Sequence, residues 1–268
     1  MESYVESAPR PELAGVVRTV WVQRTGPTAY PQRHLPTGGV ELHAPLGGRP
    51  WLLGPLTRPR TESIPAGTTV VGVRFWPGAA PPLPAAAEDL VDQRVSVPDT
   101  WSRGETDPGR VLALLQAGLL REFRRAGRPD PLVRTAVLAL MPWRPVSVGP
   151  LAAALGLSVS QLRRRCLHTV GLSPKVLQRT LRLQGFLALA QAGAAPSAAG
   201  LAADLGYADQ AHLNRECVRL TGLTPKELLG TAERCVCGHD HAASYGPLLA
   251  MRDSFKTAPP SRLVGWWA

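Results

Sequence analysis

The chain is short of what several protein classes require. Four cysteines in 268 residues are too few and too clustered for a disulfide scaffold. No apolar run approaches the length of a membrane span. The start carries Glu2 and Glu6 rather than a basic-then-apolar leader, so no secretory signal is expected. Also missing are a Gly-rich phosphate loop, His-Glu-x-x-His and Gly-x-Ser-x-Gly, the short motifs of nucleotide, zinc-peptidase and serine-hydrolase chemistry. These absences leave the expectation of a soluble cytoplasmic protein that is not an enzyme and needs no cofactor. Its length suits one large domain or two ordinary ones.

Proline (27) and glycine (26) are plentiful and lie mostly in the first half, which marks that half as loop-rich. Within it, 16–22, 40–43 and 68–75 are short segments rich in β-branched or aromatic residues, punctuated by Pro36-Thr-Gly-Gly39, Gly47-Gly-Arg-Pro50 and Pro65-Ala-Gly67. They predict strands of a compact sheet or small barrel. The stretch 77–87 reads as loop or short helix. Val111, Leu114, Leu115, Leu119 and Phe123 recur at helical spacing and predict an amphipathic helix over 110–125. A second helix is expected over 132–141, closed by Pro142 and Pro145.

The second half states nearly the same thing twice. Leu151-Ala-Ala-Ala-Leu155-Gly156 reappears as Leu201-Ala-Ala-Asp-Leu205-Gly206, an offset of 50. Leu162, Cys166, Gly171 and Pro174 then return as Leu213, Cys217, Gly222 and Pro225, an offset of 51. Each copy reads as a short helix, a Gly-bearing turn and a second helix, which is helix-turn-helix geometry, and a matched duplication is more specific than a lone motif. Ser147 and Ser197 stand where the first helix of each copy would be capped. Ser158-x-x-Gln161 and Thr224-x-x-Glu227 are capping-box patterns, Asp209 stands in relation to Leu213 as Ser158 does to Leu162, and Ser173-Pro174 opens a long helix to about 192. Gly185 weakens that helix.

Charge follows the duplication. Residues 144–230 hold ten Lys/Arg against four Asp/Glu, whereas 1–143 hold sixteen against thirteen and 231–268 four against three. A face that binds phosphate needs such an excess. In the second helix of each copy, Leu162 and Cys166, or Leu213 and Cys217, take the buried side, and the cysteines read as small core residues. Ser160, Gln161, Arg163 and Arg164, with Gln210, Ala211, Asn214 and Arg215, are left for base edges: Arg suits guanine, Gln and Asn suit adenine, and Ala can meet a thymine methyl. Arg165, His168, His212 and Arg219 fall at the margins and suit phosphate.

The run Leu-Ala-Ala-Ala-Leu-Gly-Leu-Ser-Val-Ser-Gln-Leu-Arg-Arg, and Ala-Asp-Leu-Gly-Tyr-Ala-Asp-Gln-Ala-His-Leu-Asn-Arg-Glu with Thr-Gly-Leu-Thr-Pro beyond it, resemble the AraC/XylS-type bacterial transcriptional regulators across 147–229. His34-Leu-Pro-Thr-Gly-Gly-Val-Glu41 and Val71-Gly-Val-Arg-Phe-Trp-Pro-Gly-Ala79 resemble an N-terminal domain of one branch of that family. The resemblance implies a repressor or activator that binds double-stranded DNA. Its N-terminal domain would sense a small-molecule effector or form a homodimer, and an activator would also meet RNA polymerase. Phe is usual in the family where this chain has Cys166 and Cys217.

Weaker signals remain. Cys235, Cys237, His239 and His241 alternate in a way that zinc ligands rarely do, and an exposed polar tail is the plainer reading. Glu41 and His43 would share a strand face near His34, as structural groups sooner than metal ligands. Trp51, Phe75, Trp76 and Trp101 would be core sooner than a ligand pocket, and Trp266 and Trp267 end a segment that packs back or frays.

The expected fold is α+β: a mostly-β sensor-like domain with flanking helices over 1–125, a linker with a helix over 126–145, an all-α double helix-turn-helix domain over 146–230 and a tail over 231–268. The competing functions are a ligand- or metal-binding module with the helix pair as scaffold, and an architectural DNA binder without sequence preference.

Overall fold

The computed structural model describes residues 2–81, 85–98, 104–127, 129–142, 146–193, 198–229 and 238–250. The first half is built on strands β1 (Ser3–Ser7), β2 (Val17–Arg24), β3 (Tyr30–His34), β4 (Glu41–Pro45), β5 (Trp51–Leu53), β6 (Arg60–Ile64), β7 (Thr69–Phe75) and β8 (Arg94–Ser96). Six form one sheet in the order β1-β2-β7-β4-β5-β8, and β3 pairs with β6. The pairings are antiparallel. Residues 77–81 are loop, and a short 3-10 turn follows at Ala87–Leu90.

Strand alternation gives the large sheet two unlike faces. On one, Val17, Val20, Leu42, Ala44, Leu52, Val71, Val73 and Phe75 meet Val111, Leu115 and Leu119 of helix α1 (Pro108–Ala126). That helix starts at Asp107, whose carboxylate accepts from the Arg110 amide at 2.8 Å.

The other face is polar and equally buried. Register sets Trp21 and His43 beside Gly72, and Glu41 beside Arg74. A Cβ at Gly72 would lie 2.1 Å from the Trp21 indole, so glycine lets that ring cross the strand. Arg74, 1% exposed, donates from Nε to Glu41 Oε1 at 2.9 Å and from Nη1 to Glu6 Oε1 at 2.8 Å. Arg18 sits where the β2 register slips between Val17 and Thr19, and it donates to the Tyr245 hydroxyl at 2.7 Å. Two arginines and two glutamates thus balance inside the protein. The β3–β6 pair adds Gln32, which accepts from Gln23 at 2.8 Å, and His34, whose ring meets His43 edge-on at 5.4 Å.

Helix α9 (His241–Ala250) and the residues just before it complete this network. Ser244 Oγ lies 3.4 Å and His239 Nδ1 3.3 Å from Arg74 nitrogens. The expected exposed tail is therefore corrected at this point: His239 and His241 are 5% and 2% exposed. The physical reason is that buried guanidinium groups need acceptors that β7 and β2 do not supply. Cys235 and Cys237 lie outside the described residues. Among the described residues no group of His, Cys, Asp or Glu has a metal-holding arrangement. The aromatic residues disperse: Phe75 joins the α1 core, Trp76 a core with the second half, and Trp51 stacks on His43 under Arg94. Trp101, Trp266 and Trp267 lie outside the described residues.

The second half contains α2 (Pro131–Ala139), α3 (Val148–Ala154), α4 (Val159–Val170), α5 (Pro174–Gln191), α6 (Ala198–Asp204), α7 (Gln210–Thr221) and α8 (Pro225–Leu229). Within the expected linker, α2 is packed rather than free: Val133, Ala136 and Leu138 join Leu151, Leu162, Cys166 and Leu181 in the first unit's core, and Trp76 and Ala79 reach in from the first half. The second core gathers Phe186, Leu201, Leu205, Leu213, Cys217 and Leu228 around Leu35. Gly185 is required because a Cβ there would meet Pro142 at 2.4 Å. Gln184 of α5 donates to the Pro36 carbonyl at 2.8 Å, and its Oε1 lies 3.1 Å from His241 Nδ1. Gln191 receives the His241 amide at 2.7 Å. No helix among the described residues is long and apolar enough to cross a membrane.

Burial opposes ionisation of Glu41, yet Arg74 holds its carboxyl well below the ordinary 4.5. Burial, with Arg74 beside it, keeps His239 well below 6.5, and burial also lowers His43. Below these ordinary values the unfolded chain binds protons that the native chain does not, so stability falls as pH drops. Chemical denaturation should show full stability above about pH 6.5, with loss beginning below it and steepening below about pH 4.5. Arg74→Met should cost about 3–5 kcal/mol at neutral pH, because Glu6 and Glu41 would stay buried without their cation.

Candidate nucleic-acid interface

Each copy of the duplicated segment closes its second helix with matching local chemistry. At the start of α4 the Gln161 amide donates to Ser158 Oγ at 3.2 Å, and Gln161 Oε1 accepts from the Ser158 amide at 2.8 Å. The start of α7 is capped by Asp209, which accepts from the His212 amide at 2.6 Å. The two helices end at left-handed Gly171 and Gly222. Thr224 and Glu227 form the expected reciprocal box before α8. Ser147 occupies the N-cap position of α3 without a side-chain bond, and Ser197 lies outside the described residues.

Leu162, Cys166, Leu213 and Cys217 are each fully buried. Burial pushes both thiols up to about 12, so they serve as small apolar fillers. The opposite faces are open. On α4, Ser160, Gln161, Arg163, Arg164, Arg165 and His168 are exposed; on α7, Gln210, Ala211, Asn214, Arg215 and Arg219 are exposed and His212 is half-buried. Among the described residues both outer faces are exposed. The first half meets these units through their cores, through Ala87–Leu90 against α4, through Pro36 accepting from Gln184, and through Arg33, donating to the Thr221 carbonyl at the end of α7.

Three of these side chains carry contacts of their own, and the spacing announced only that of Gln161. Gln161 commits its oxygen to the cap. His212 Nδ1 accepts from the Ala208 amide at 3.2 Å and meets the Tyr207 ring edge-on at 5.4 Å. Arg165, assigned from its spacing to a phosphate, holds Asp130 at 2.6 Å. Two residues absent from the expected surface are on it: Val159 and Val218 are 50% and 46% exposed. Val218 lies off the Leu213/Cys217 stripe, which was the available signal, whereas Val159 shares the Leu162/Cys166 spacing and is exposed at the first turn of α4. Apolar contact with a thymine methyl is the chemistry both offer.

Known proteins can be set beside this geometry. Residues 151–230 match the family model of a helix-turn-helix domain, and residues 5–96 match a domain of unknown function, DUF6597. No curated protein matches the chain significantly. Among solved structures, the chain is similar to ToxT from Vibrio cholerae O395 at 10% identity and a TM-score of 0.45, covering 85% of this chain and 98% of that one. It is similar also to wild-type ToxT from Vibrio cholerae strain SCE256 with unsaturated fatty acid bound, at 11% identity and a TM-score of 0.45, covering 87% and 99%.

In a chain carrying Cys235→Ser and Cys237→Ser, a thiol reagent at pH 8 should label neither remaining cysteine in the native state and both after denaturation. Rapid native labelling would mean that the two helices are not seated on Cys166 and Cys217.

Proposed function

Because residues 151–230 are an AraC-type helix-turn-helix domain, we propose that the chain is a sequence-specific transcription regulator. It reads two neighbouring major-groove segments, one with α4 and one with α7. The observation that supports this most is the pair of matched helices, each seated on a Leu–Cys stripe and each presenting an uncovered face of Arg, amide and small side chains. Base edges fall to Ser160, Arg163 and Arg164 in the first unit and to Gln210, Ala211, Asn214 and Arg215 in the second. His168 and Arg219 sit where phosphate passes. Gln161 and His212 stand beside these groups, held by their caps.

Residues 1–125 are assigned the sensing of a small-molecule effector, with 126–145 joining them to the reading domain at 146–230. Leu35 and Trp76 enter the cores of the two units, which gives the first half physical purchase on both. Specificity would come from base contacts and affinity from counterion release.

Selection of genomic fragments followed by footprinting tests this reading with the intact chain. A discrete footprint over two groove segments about one helical turn apart is the expected result. On the selected site, Arg163→Ala or Arg215→Ala should cost about 1–3 kcal/mol and relax preference at one position. Equal losses on every sequence would make these phosphate contacts. A specificity ratio near one, with steep salt dependence, would make the chain an architectural binder.

A further inference from the structure

The duplication sets Arg165 of α4 against Glu216 of α7, with an offset of 51. Each lies next to the buried cysteine of its helix, and each turns toward the helix that precedes its helix-turn-helix. Arg165 Nη1 donates to Asp130 Oδ2 at 2.6 Å, at the start of α2. Glu216 takes both Nε and Nη2 of Arg179 on α5, the latter at 3.1 Å. The helices α2 and α5 hold the same place in the two units, since each shares a core with the recognition helix that follows it. One structural position is thus used twice, with the charges exchanged.

We propose that these ion pairs position the two recognition helices, so that residues 165 and 216 fix the roll of α4 and α7 and touch no phosphate. This deepens the DNA-reading proposal and rests on it. A short cysteine side chain at 166 or 217 fills its core lightly and does little to stop a helix turning about its axis. An ion pair one residue away resists that turn. The Glu216–Arg179 pair is two-pronged, which adds orientation to attraction, and its side chains are 13% and 22% exposed. The Arg165–Asp130 pair is more open, at 45% and 22%, and is anchored otherwise: Asp130 Oδ1 caps α2 by accepting from the Leu132 amide at 2.9 Å while Oδ2 holds Arg165. Base readout tolerates misplacement of only about 0.5 Å, so loosening either helix should blur its reading before it weakens general attraction to DNA.

The test uses the intact chain. Glu216→Gln removes one charge, the double variant Arg179→Glu/Glu216→Arg exchanges the pair, and Asp130→Asn keeps the α2 cap while releasing Arg165. Amide exchange without DNA is measured over α4 and α7, and base discrimination is measured on selected sites. For Glu216→Gln we expect exchange in α7 to quicken and discrimination at its positions to fall by about fivefold. Readout by α4 should hold, and affinity for unselected DNA should stay level or rise. The exchanged pair should restore both signals, and Asp130→Asn should move the same two signals in α4. Unchanged exchange and discrimination would overturn the proposal, as would failure of the exchanged pair to restore them. If the parent chain selects no sequence, the regulator reading falls, while the exchange measurement still decides whether the pairs hold the helices.

Discussion

Arg74 is held between Glu6 and Glu41 in the interior of the protein, and the arrangement of the first half follows from keeping that guanidinium satisfied. An arginine on a central strand cannot reach water. Its charge must be met by carboxylates from other strands of the sheet, and its remaining hydrogens must be met from above the sheet. Strand β4 supplies Glu41, the edge strand β1 supplies Glu6, and the α9 segment supplies His239 and Ser244. Arg18 repeats the requirement one strand away and is answered by Tyr245. The β1 and α9 segments thus meet at one spot through charge and hydrogen bonds as well as through the apolar burial of Tyr4 and Tyr245.

The same segment carries the constraint into the second half. His241 rests on Gln184 and Gln191 of α5, and Gln184 also donates to Pro36. Helix α5 contributes Leu177, Leu181 and Ala188 to one unit's core and Phe186 and Leu187 to the other's, so it serves as a shared beam. Fixing α5 from three sides, by the sheet loop, by α9 and by Pro142 against Gly185, settles how far apart and at what angle the two units stand. If the chain reads two groove segments as proposed, that spacing would itself be part of the specificity.

Much of the second half was legible in the sequence because helical periodicity, caps and a duplication all agree, and agreement among local signals is what foldability requires. Strands β2 and β7 were legible from their β-branched residues, and β4 from Val40 just ahead of it and the turn residues on either side. Strands such as β6, Arg-Thr-Glu-Ser-Ile, and β8, Arg-Val-Ser, were not, since they are short and polar and owe their conformation to a partner across the sheet. The outward residues of α4 and α7 followed from the buried stripe. Their ion pairs did not, because Asp130 and Arg179 lie 35 and 37 positions from the residues they hold. The reading of His239 and His241 as an exposed tail failed for the same reason: the buried arginine that needs His239 is 165 positions away.

The two units are alike in frame and unlike in surface, and the difference has a geometric consequence. The outer face of α4 is dominated by Arg163, Arg164 and His168, whereas α7 offers Gln210, Ala211, Asn214 and Arg215 with a single further cation at Arg219. Two identical helices joined in one chain would call for the same bases twice. Helices with different donors and acceptors call for two different segments in a fixed order, because arginine forks match guanine edges while carboxamides match adenine. A site read in this way has a direction. Under the proposed function, one chain would lie on its site in a single orientation, and the first half would face a defined side along the duplex. The duplication supplies a repeated frame, and under the proposed function the divergence of the two outer faces is what would tell one segment from the other.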